Sequence, residues 1–289
     1  MRPPNLPTAA ADILAGVALA GVLTGCPGSQ CALSAHWADI LFLVTSSVCL
    51  YAGGVVLNDV FDARLDAVER PERPIPSGLV PIPQAAILGG LLLFIGVLLA
   101  GWARTESAYI AVWLAGGILL YDAYAKNRPF AGPLVMGLCR TLNLWLGMSL
   151  VPLTAEGQYL WVPLLYIFAV TTVSRGEVSG GRKNQLLLAF ILYAIVIFGV
   201  GILVATETAR LWWALPFLIL LAAMVFTPIV KGWQERRPEQ IRAAVKGGVL
   251  GIVALDAAWA AGYGSIWAGL AVLFLLVVSR WLARQFAVT

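Results

Sequence analysis

Long apolar stretches recur along this chain, and each is close to the length a helix needs to cross a bilayer. Ten can be read, at residues 9–25, 38–57, 82–103, 107–125, 131–152, 159–174, 185–205, 210–230, 243–261 and 264–283. A spanning helix takes about 20 mostly apolar residues, so few other architectures accommodate this pattern. Composition agrees: the 289 residues are 60% hydrophobic and 12% charged, too little polar surface for a soluble chain of that size. The expected fold class is all-α, a polytopic membrane helical bundle of about nine to ten transmembrane helices. No connection between stretches is long enough for a soluble domain, so residues 1–289 are expected to form one integral membrane domain. The short "GYG" near the end leaves a single broken span over 243–283 as the competing count.

Loop charge orients the bundle. Arg2, the group Arg64, Arg70 and Arg73, the pair Lys126 and Arg128, and the group Arg175, Arg182 and Lys183 fall on alternate connections. Lys231, Arg236, Arg237, Arg242 and Arg284 continue that side, while the other offers Arg104 and Arg210. Positive loops stay cytoplasmic, so both termini are expected inside. The net charge of +4 is scattered between apolar runs and does not point to nucleic acid; the surrounding partner is membrane lipid. Cys49 and Cys139 fall within spans as small apolar residues. Cys26 and Cys31 share an outside loop where an oxidising compartment permits a disulfide, and their spacing leaves that open. "LTGC" at 23–26 imitates a lipoprotein cleavage site, but Asp12 and three early prolines make a poor signal sequence.

Charge concentrates in one place, "NDVFDARLDAVERPERPIPSG" from Asn58 to Gly78. If the second span continues outward as a helix, Asp59, Asp62 and Asp66 fall within an arc of roughly 60°. Asn58 and Glu69 flank that face, and Arg64 points nearly opposite. A mixed-charge loop between spans is usually only solvated. Here the acids are in phase and Arg64 is out of it, and stacked carboxylates repel unless a cation sits among them. Oxygen ligands suit a hard ion such as Mg²⁺, commonly shared with substrate phosphates. Pro71 ends the helix, and the proline-rich turn folds the chain back to the third span.

This stretch closely resembles the first signature of the UbiA superfamily of intramembrane prenyltransferases, Asn-Asp-x-x-Asp-x-x-x-Asp followed by Arg-Pro and a closing Ser-Gly. The start "RPPNLPTAAADILAGVALAG" and the tail "ALDAAWAAGYG" are similar to the UbiA-like EboC proteins of the Ebo gene cluster. The resemblance implies a helical bundle around a central cavity open sideways to lipid. It also implies an isoprenoid diphosphate held head-first at the cytoplasmic acids, Mg²⁺ as cofactor, and a lipid-soluble acceptor. By that resemblance Asn58, Asp59, Asp62 and Asp66 are the catalytic positions, with Asp59, Asp62 and Asp66 as metal ligands. Lys126 and Arg128 in "YDAYAKNRPF" lie on the same side, where they can steady diphosphate oxygens. The location it implies is a bacterial inner membrane.

The chain departs from the family after the sixth span. A second acidic cluster is expected there, and the sequence reads "TTVSRGEVSGGRKN" instead. Ser174 stands where the first Asp belongs, Glu177 is the one carboxylate, and Arg175, Arg182 and Lys183 make the loop basic. Either these cations bind diphosphate oxygens directly, or the cavity binds an isoprenoid or related lipid without ionising it. A basic loop obeying the orientation rule is the plainer explanation of the arginines.

Ionisable groups inside a membrane usually face a partner or a cavity. Asp122, Arg140, Asn143 and Asp256 are the polar residues to weigh within the spans, and all but Asn143 are ionisable. Arg140 and Asn143 are expected in the substrate site, with an internal Arg140–Asp122 ion pair as the alternative. Asp256, among small residues, is expected to make a helix–helix hydrogen bond. The function expected is Mg²⁺-dependent transfer of a prenyl group to a membrane-associated acceptor. The alternative is a catalytically reduced relative that binds or helps transport an isoprenoid-like metabolite. A secondary transporter would need broken helices around a midplane site, which the acid-rich end does not suggest.

Overall fold

The computed structural model describes residues 5–24, 33–151, 157–174, 183–235 and 237–286. Among them the regular structure is helical: α1 (Leu6–Leu19), α2 (Leu33–Phe61), α3 (Ala63–Glu69), α4 (Ile82–Ala103), α5 (Thr105–Leu120), α6 (Ala131–Met148), α7 (Trp161–Ser174), α8 (Lys183–Glu207), α9 (Leu211–Glu235), α10 (Pro238–Tyr263) and α11 (Ile266–Phe286). Apart from the short α3, each helix falls on one of the ten apolar stretches. Eight are long and apolar enough to cross a membrane, and the chain is a multi-pass membrane protein.

The other two long helices deviate for visible reasons. Helix α1 has 14 residues, about 21 Å at 1.5 Å per residue, shorter than the hydrocarbon core. It starts at Leu6 rather than residue 9, with Pro7 in its first turn, where a missing N–H costs nothing. Nearly every side chain on it is buried, because α2, α6, α10 and α11 all pack around it. Helix α6 is less apolar because it carries Arg140 and Asn143 inward. The "GYG" link separates two helices: α10 ends at Tyr263, α11 begins at Ile266, and the two pack against each other. The broken-span count is thereby corrected to two helices.

Close packing between α1 and α6 sets the site's geometry. A Cβ on Gly16 would sit 2.8 Å from Gly147 Cα, and one on Gly147 would sit 2.9 Å from Ile13 Cα. Glycine at both positions lets the backbones touch, as small residues do where membrane helices associate. That contact carries Arg140 and Asn143 of α6 to Thr8 and Asp12 of α1. Cys49 and Cys139 are free; Cys26 and Cys31 lie outside the described residues.

Candidate active site

Helix α2 has 29 residues, about 43 Å, so its C-terminal end projects past a hydrocarbon core of about 30 Å. Asn58 and Asp59 sit in that last turn. Helical hydrogen bonding carries on through the nominal break at Asp62: Asp62 N–H donates to Asn58 O at 2.9 Å, Asp66 N–H to Asp62 O at 2.8 Å, and Arg70 N–H to Asp66 O at 2.8 Å. The helical phase expected for the three acids is therefore preserved, and Arg64 is exposed.

The turn after α3 brings a cation back onto this face. Ser77 N–H donates to Arg73 O at 2.9 Å, and Gly78 takes φ +78, a conformation glycine adopts without Cβ strain. Arg73 Nη1 then lies 2.6 Å from Asp66 Oδ2 and 3.6 Å from Asp59 Oδ1. Asp66 is buried in this pair, and it does not line the cavity described below. Arg73 is a site residue that helical phase alone missed. The signal for it was the run of prolines at 71, 74 and 76 with Gly78, which reverses the chain.

The second cation comes from the end of α5. Residues Tyr121–Ala125 form a π-helical turn, a wider turn frequent at functional sites, closed by Lys126 N–H to Tyr121 O at 3.0 Å. Lys126 Nζ reaches Asp62 Oδ1 at 2.6 Å. One turn back, Asp122 Oδ1 accepts from Asn58 Nδ2 at 2.9 Å. Arg128 is exposed and lies over the Tyr124 ring at 4.4 Å, outside the cavity lining.

Asn58, Asp59, Asp62, Asp122 and Lys126 form the polar end of a cavity of about 380 Å³, a size typical of small-molecule sites. Its walls are apolar, with Leu50, Val55, Leu114, Ile118 and Met136 among them. Its other polar end holds Ser47, Tyr51, Arg140 and Asn143. Ser47 and Asn58 are eleven residues apart on α2, about 16 Å along the helix.

At that deeper end Arg140 Nη1 donates to Asp12 Oδ2 at 2.6 Å and to Thr8 O at 3.0 Å, and its guanidinium lies over Tyr51 at 5.8 Å. Asn143 Nδ2 donates to the same Asp12 oxygen at 2.8 Å, while Ser47 Oγ lies 2.7 Å from Asn143 Oδ1. The expected Arg140–Asp122 pair is corrected: Arg140 pairs with Asp12 because α6 packs on α1, and Asp122 faces Asn58 instead. Asp256 of α10 faces Asp12 where α10 packs on α1, and its Oδ2 has no hydrogen-bond partner among the described residues.

Of the remaining expected site residues, Lys183 is exposed at the start of α8, and Arg175, Glu177 and Arg182 lie outside the described residues. Ser174 closes α7, its hydroxyl donating to Thr171 O at 2.9 Å.

The site suits Mg²⁺ by donor chemistry, since its acids are all carboxylates. It also contains a buried carboxylate oxygen, Asp122 Oδ2, with no hydrogen-bond partner among the described residues. It is not a finished cage: no three Asp, Glu, His or Cys side chains among the described residues are gathered to hold a metal. Mg²⁺ does not require one, because it commonly takes one or two carboxylates and completes its shell with water and substrate phosphate.

The model of the UbiA prenyltransferase family matches residues 16–176. The chain belongs to that family. Digeranylgeranylglyceryl phosphate synthase from Methanothrix thermoacetophila is 31% identical over 196 residues, covering 64% of this chain and 67% of that protein. The synthase of the same name from Metallosphaera sedula is 30% identical over 142 residues, covering 49% of this chain and 50% of that protein. The chain thus spans about half to two thirds of the length of these relatives. The structure of a UbiA homologue from Archaeoglobus fulgidus bound to GPP and Mg²⁺ shares the fold, with TM-score 0.64 and 15% identity, covering 93% of this chain and 97% of that one.

Proposed function

We propose that this UbiA-family chain transfers a prenyl group from an isoprenoid diphosphate to a membrane-associated acceptor. The observation that carries this reading is the juxtaposition in one cavity: Asp59, Asp62 and Lys126 at a polar end, continuous with an apolar wall long enough to hold a prenyl chain. Relatives named digeranylgeranylglyceryl phosphate synthase, and a fold neighbour bound to GPP and Mg²⁺, support the reaction class.

In this reading Asp59 and Asp62 hold Mg²⁺ at the cavity, and Asp66 belongs to the same signature while locking Arg73 beside it. Bound there, Mg²⁺ neutralises the diphosphate and so stabilises it as a leaving group. Lys126 and Arg73, paired with Asp62 and Asp66, would offer their positive charge to the diphosphate oxygens, and Asn58 is oriented by its bond to Asp122. The apolar walls align the prenyl chain and keep water from the allylic carbon, where fixed charges act strongly. Arg140 and Asn143, anchored by Asp12, present a polar surface to the acceptor. Arg175 and Arg182, beyond the described residues, and Lys183 at the start of α8 supply part of the positive charge that a second metal would provide, and Glu177 is the one carboxylate left of the second acidic cluster. Arg128 contributes from the cytoplasmic rim.

We place the chain as one domain in a bacterial inner membrane with both termini cytoplasmic, and within the family beside the EboC-like proteins. The two stretches that carry that subfamily likeness contain Asp12 and Asp256, whose contact gives the likeness a common structural basis. The deciding experiment is untargeted lipid analysis of deletion cells complemented with wild type or Asp62→Asn. A prenylated lipid that depends on Asp62 supports transfer. Identical lipid profiles in all three strains would favour the lipid-binding alternative.

A further inference from the structure

The geometry points to Tyr51 as an end stop that limits the donor's prenyl chain to two isoprene units, three at most. The inference rests on the diphosphate reading above and names the length class of its substrate. It is drawn from one face of α2, from what holds Tyr51 in place and from what lies behind it.

Ser47, Tyr51, Gly54, Asn58 and Asp62 recur every three or four residues. They therefore share one face of α2 and its helical continuation, and all five line the cavity. Asn58 and Asp62 form the polar head of this strip. Gly54 follows, without a side chain, and Ile118 of α5 packs against it: a Cβ on Gly54 would sit 2.8 Å from Ile118 Cγ2. A flat apolar stretch thus separates the polar head from Tyr51, the next side chain on the strip. Tyr51 and Asn58 are seven residues apart, about 10 Å along the helix. At about 1.5 Å per carbon–carbon bond, two extended isoprene units cover roughly that distance and four cover about twice it. The volume agrees: about 380 Å³ lies near the lower end of the roughly 300–1,000 Å³ range of ligand sites.

Tyr51 is held in place. The Arg140 guanidinium lies over its ring at 5.8 Å, and Arg140 is itself fixed by Asp12 Oδ2 at 2.6 Å and Thr8 O at 3.0 Å. A helical side chain leans toward the N-terminus of its helix, so the ring closes the deep end and leaves the stretch over Gly54 open. Behind the ring stand Ser47, Arg140 and Asn143, which also line the cavity. A chain that runs past Tyr51 presses hydrocarbon onto a guanidinium, a hydroxyl and an amide. Covering polar groups in that way costs free energy with no bond in return. Length is thereby read twice, by the bulk of the ring and by the polarity beyond it.

The test measures binding of geranyl and geranylgeranyl S-thiolodiphosphate, which resist ionisation, to the full chain in nanodiscs with Mg²⁺. The quantity read is the ratio of the two affinities within each variant, with partition into empty nanodiscs subtracted. Wild type should prefer the geranyl analogue by roughly tenfold or more. Tyr51→Ala should bring the ratio within about threefold by gaining affinity for the longer analogue, while Tyr51→Phe, which keeps the ring, should hold the wild-type ratio. If Tyr51→Ala fails to fold, Tyr51→Leu is read in its place with the same outcome expected. Equal affinities in wild type mean that a long chain leaves the cavity sideways, and they overturn the stop. An unchanged ratio in Tyr51→Ala or Tyr51→Leu overturns it too, as does a Tyr51→Phe ratio that follows Tyr51→Ala. Asp62→Asn separates the stop from the reading beneath it. Loss of both analogues there leaves the diphosphate site standing whatever Tyr51 does, and unchanged binding of both overturns site and stop together.

Discussion

Lys126 Nζ lies 2.6 Å from Asp62 Oδ1, tying the end of the fifth helix to an acid 64 positions earlier. This pair makes Asp62 the hinge of the site. It lines the cavity, it holds a cation suited to a diphosphate, and it stands between Asp59 and Asp66 on one helical face. A ligand diphosphate can take over Lys126 only as another positive charge reaches Asp62.

That exchange sets the first prediction. Asp62→Asn should weaken binding of a non-ionisable prenyl diphosphate analogue by about 2 kcal/mol or more, roughly thirtyfold, as truncation of hydrogen-bonded charge pairs does. Lys126→Ala and Arg73→Ala should weaken it in the same direction. Arg64→Gln, on the exposed side of α3, should change little. Titration of the analogue with and without Mg²⁺ measures all four, and equal effects of Asp62→Asn and Arg64→Gln would reduce the acidic face to a solvated loop.

The buried Arg140–Asp12 pair gives the second. Arg140→Gln leaves Asp12 and Asp256 together without their cation, at a cost of about 3 kcal/mol of stability. Because Arg140 and Asp12 act as a unit, the double variant Asp12→Asn with Arg140→Gln should be much less destabilised than the two single effects added. Equilibrium unfolding in mixed micelles would show this. Strictly additive effects would mean that the two side chains are energetically independent.

The third concerns the loop after α7. If Arg175, Arg182 and Lys183 substitute for part of the cationic charge, Ser174→Asp with Glu177→Asp should raise the Mg²⁺ concentration needed for analogue binding. Arg182→Ala should lower diphosphate affinity without reducing membrane insertion. Coincident Mg²⁺ titrations, together with normal binding by Arg182→Ala, would leave the loop as a cytoplasmic anchor only.

The fourth follows from loop charge. Reporter fusions after residues 31 and 157 should report the outside, and fusions after residues 183 and 289 the cytoplasm. An outside signal at residue 289 would contradict the orientation drawn from the lysines and arginines.

Hydropathy and helical period, both local properties, were enough to determine the membrane class, the helices and the shared face of Asp59, Asp62 and Asp66. A run of apolar residues must satisfy its own backbone hydrogen bonds in lipid, and side chains four apart on a helix meet whatever surrounds them. The same locality explains where sequence reasoning stopped. It could place Arg140 inside the membrane but not choose Asp12 over Asp122 as its partner, because that choice depends on α1 and α6 touching at Gly16 and Gly147. It could read Arg73 as one base in a charged loop but not see the turn at Gly78 bring it onto Asp66. Nor could it show that Asp122 faces Asn58 with one oxygen left over, since those residues meet only through packing of the second and fifth helices. Pairing across distant segments is decided by which helix surfaces fit closely enough to exclude lipid, and that is a property of the assembled bundle.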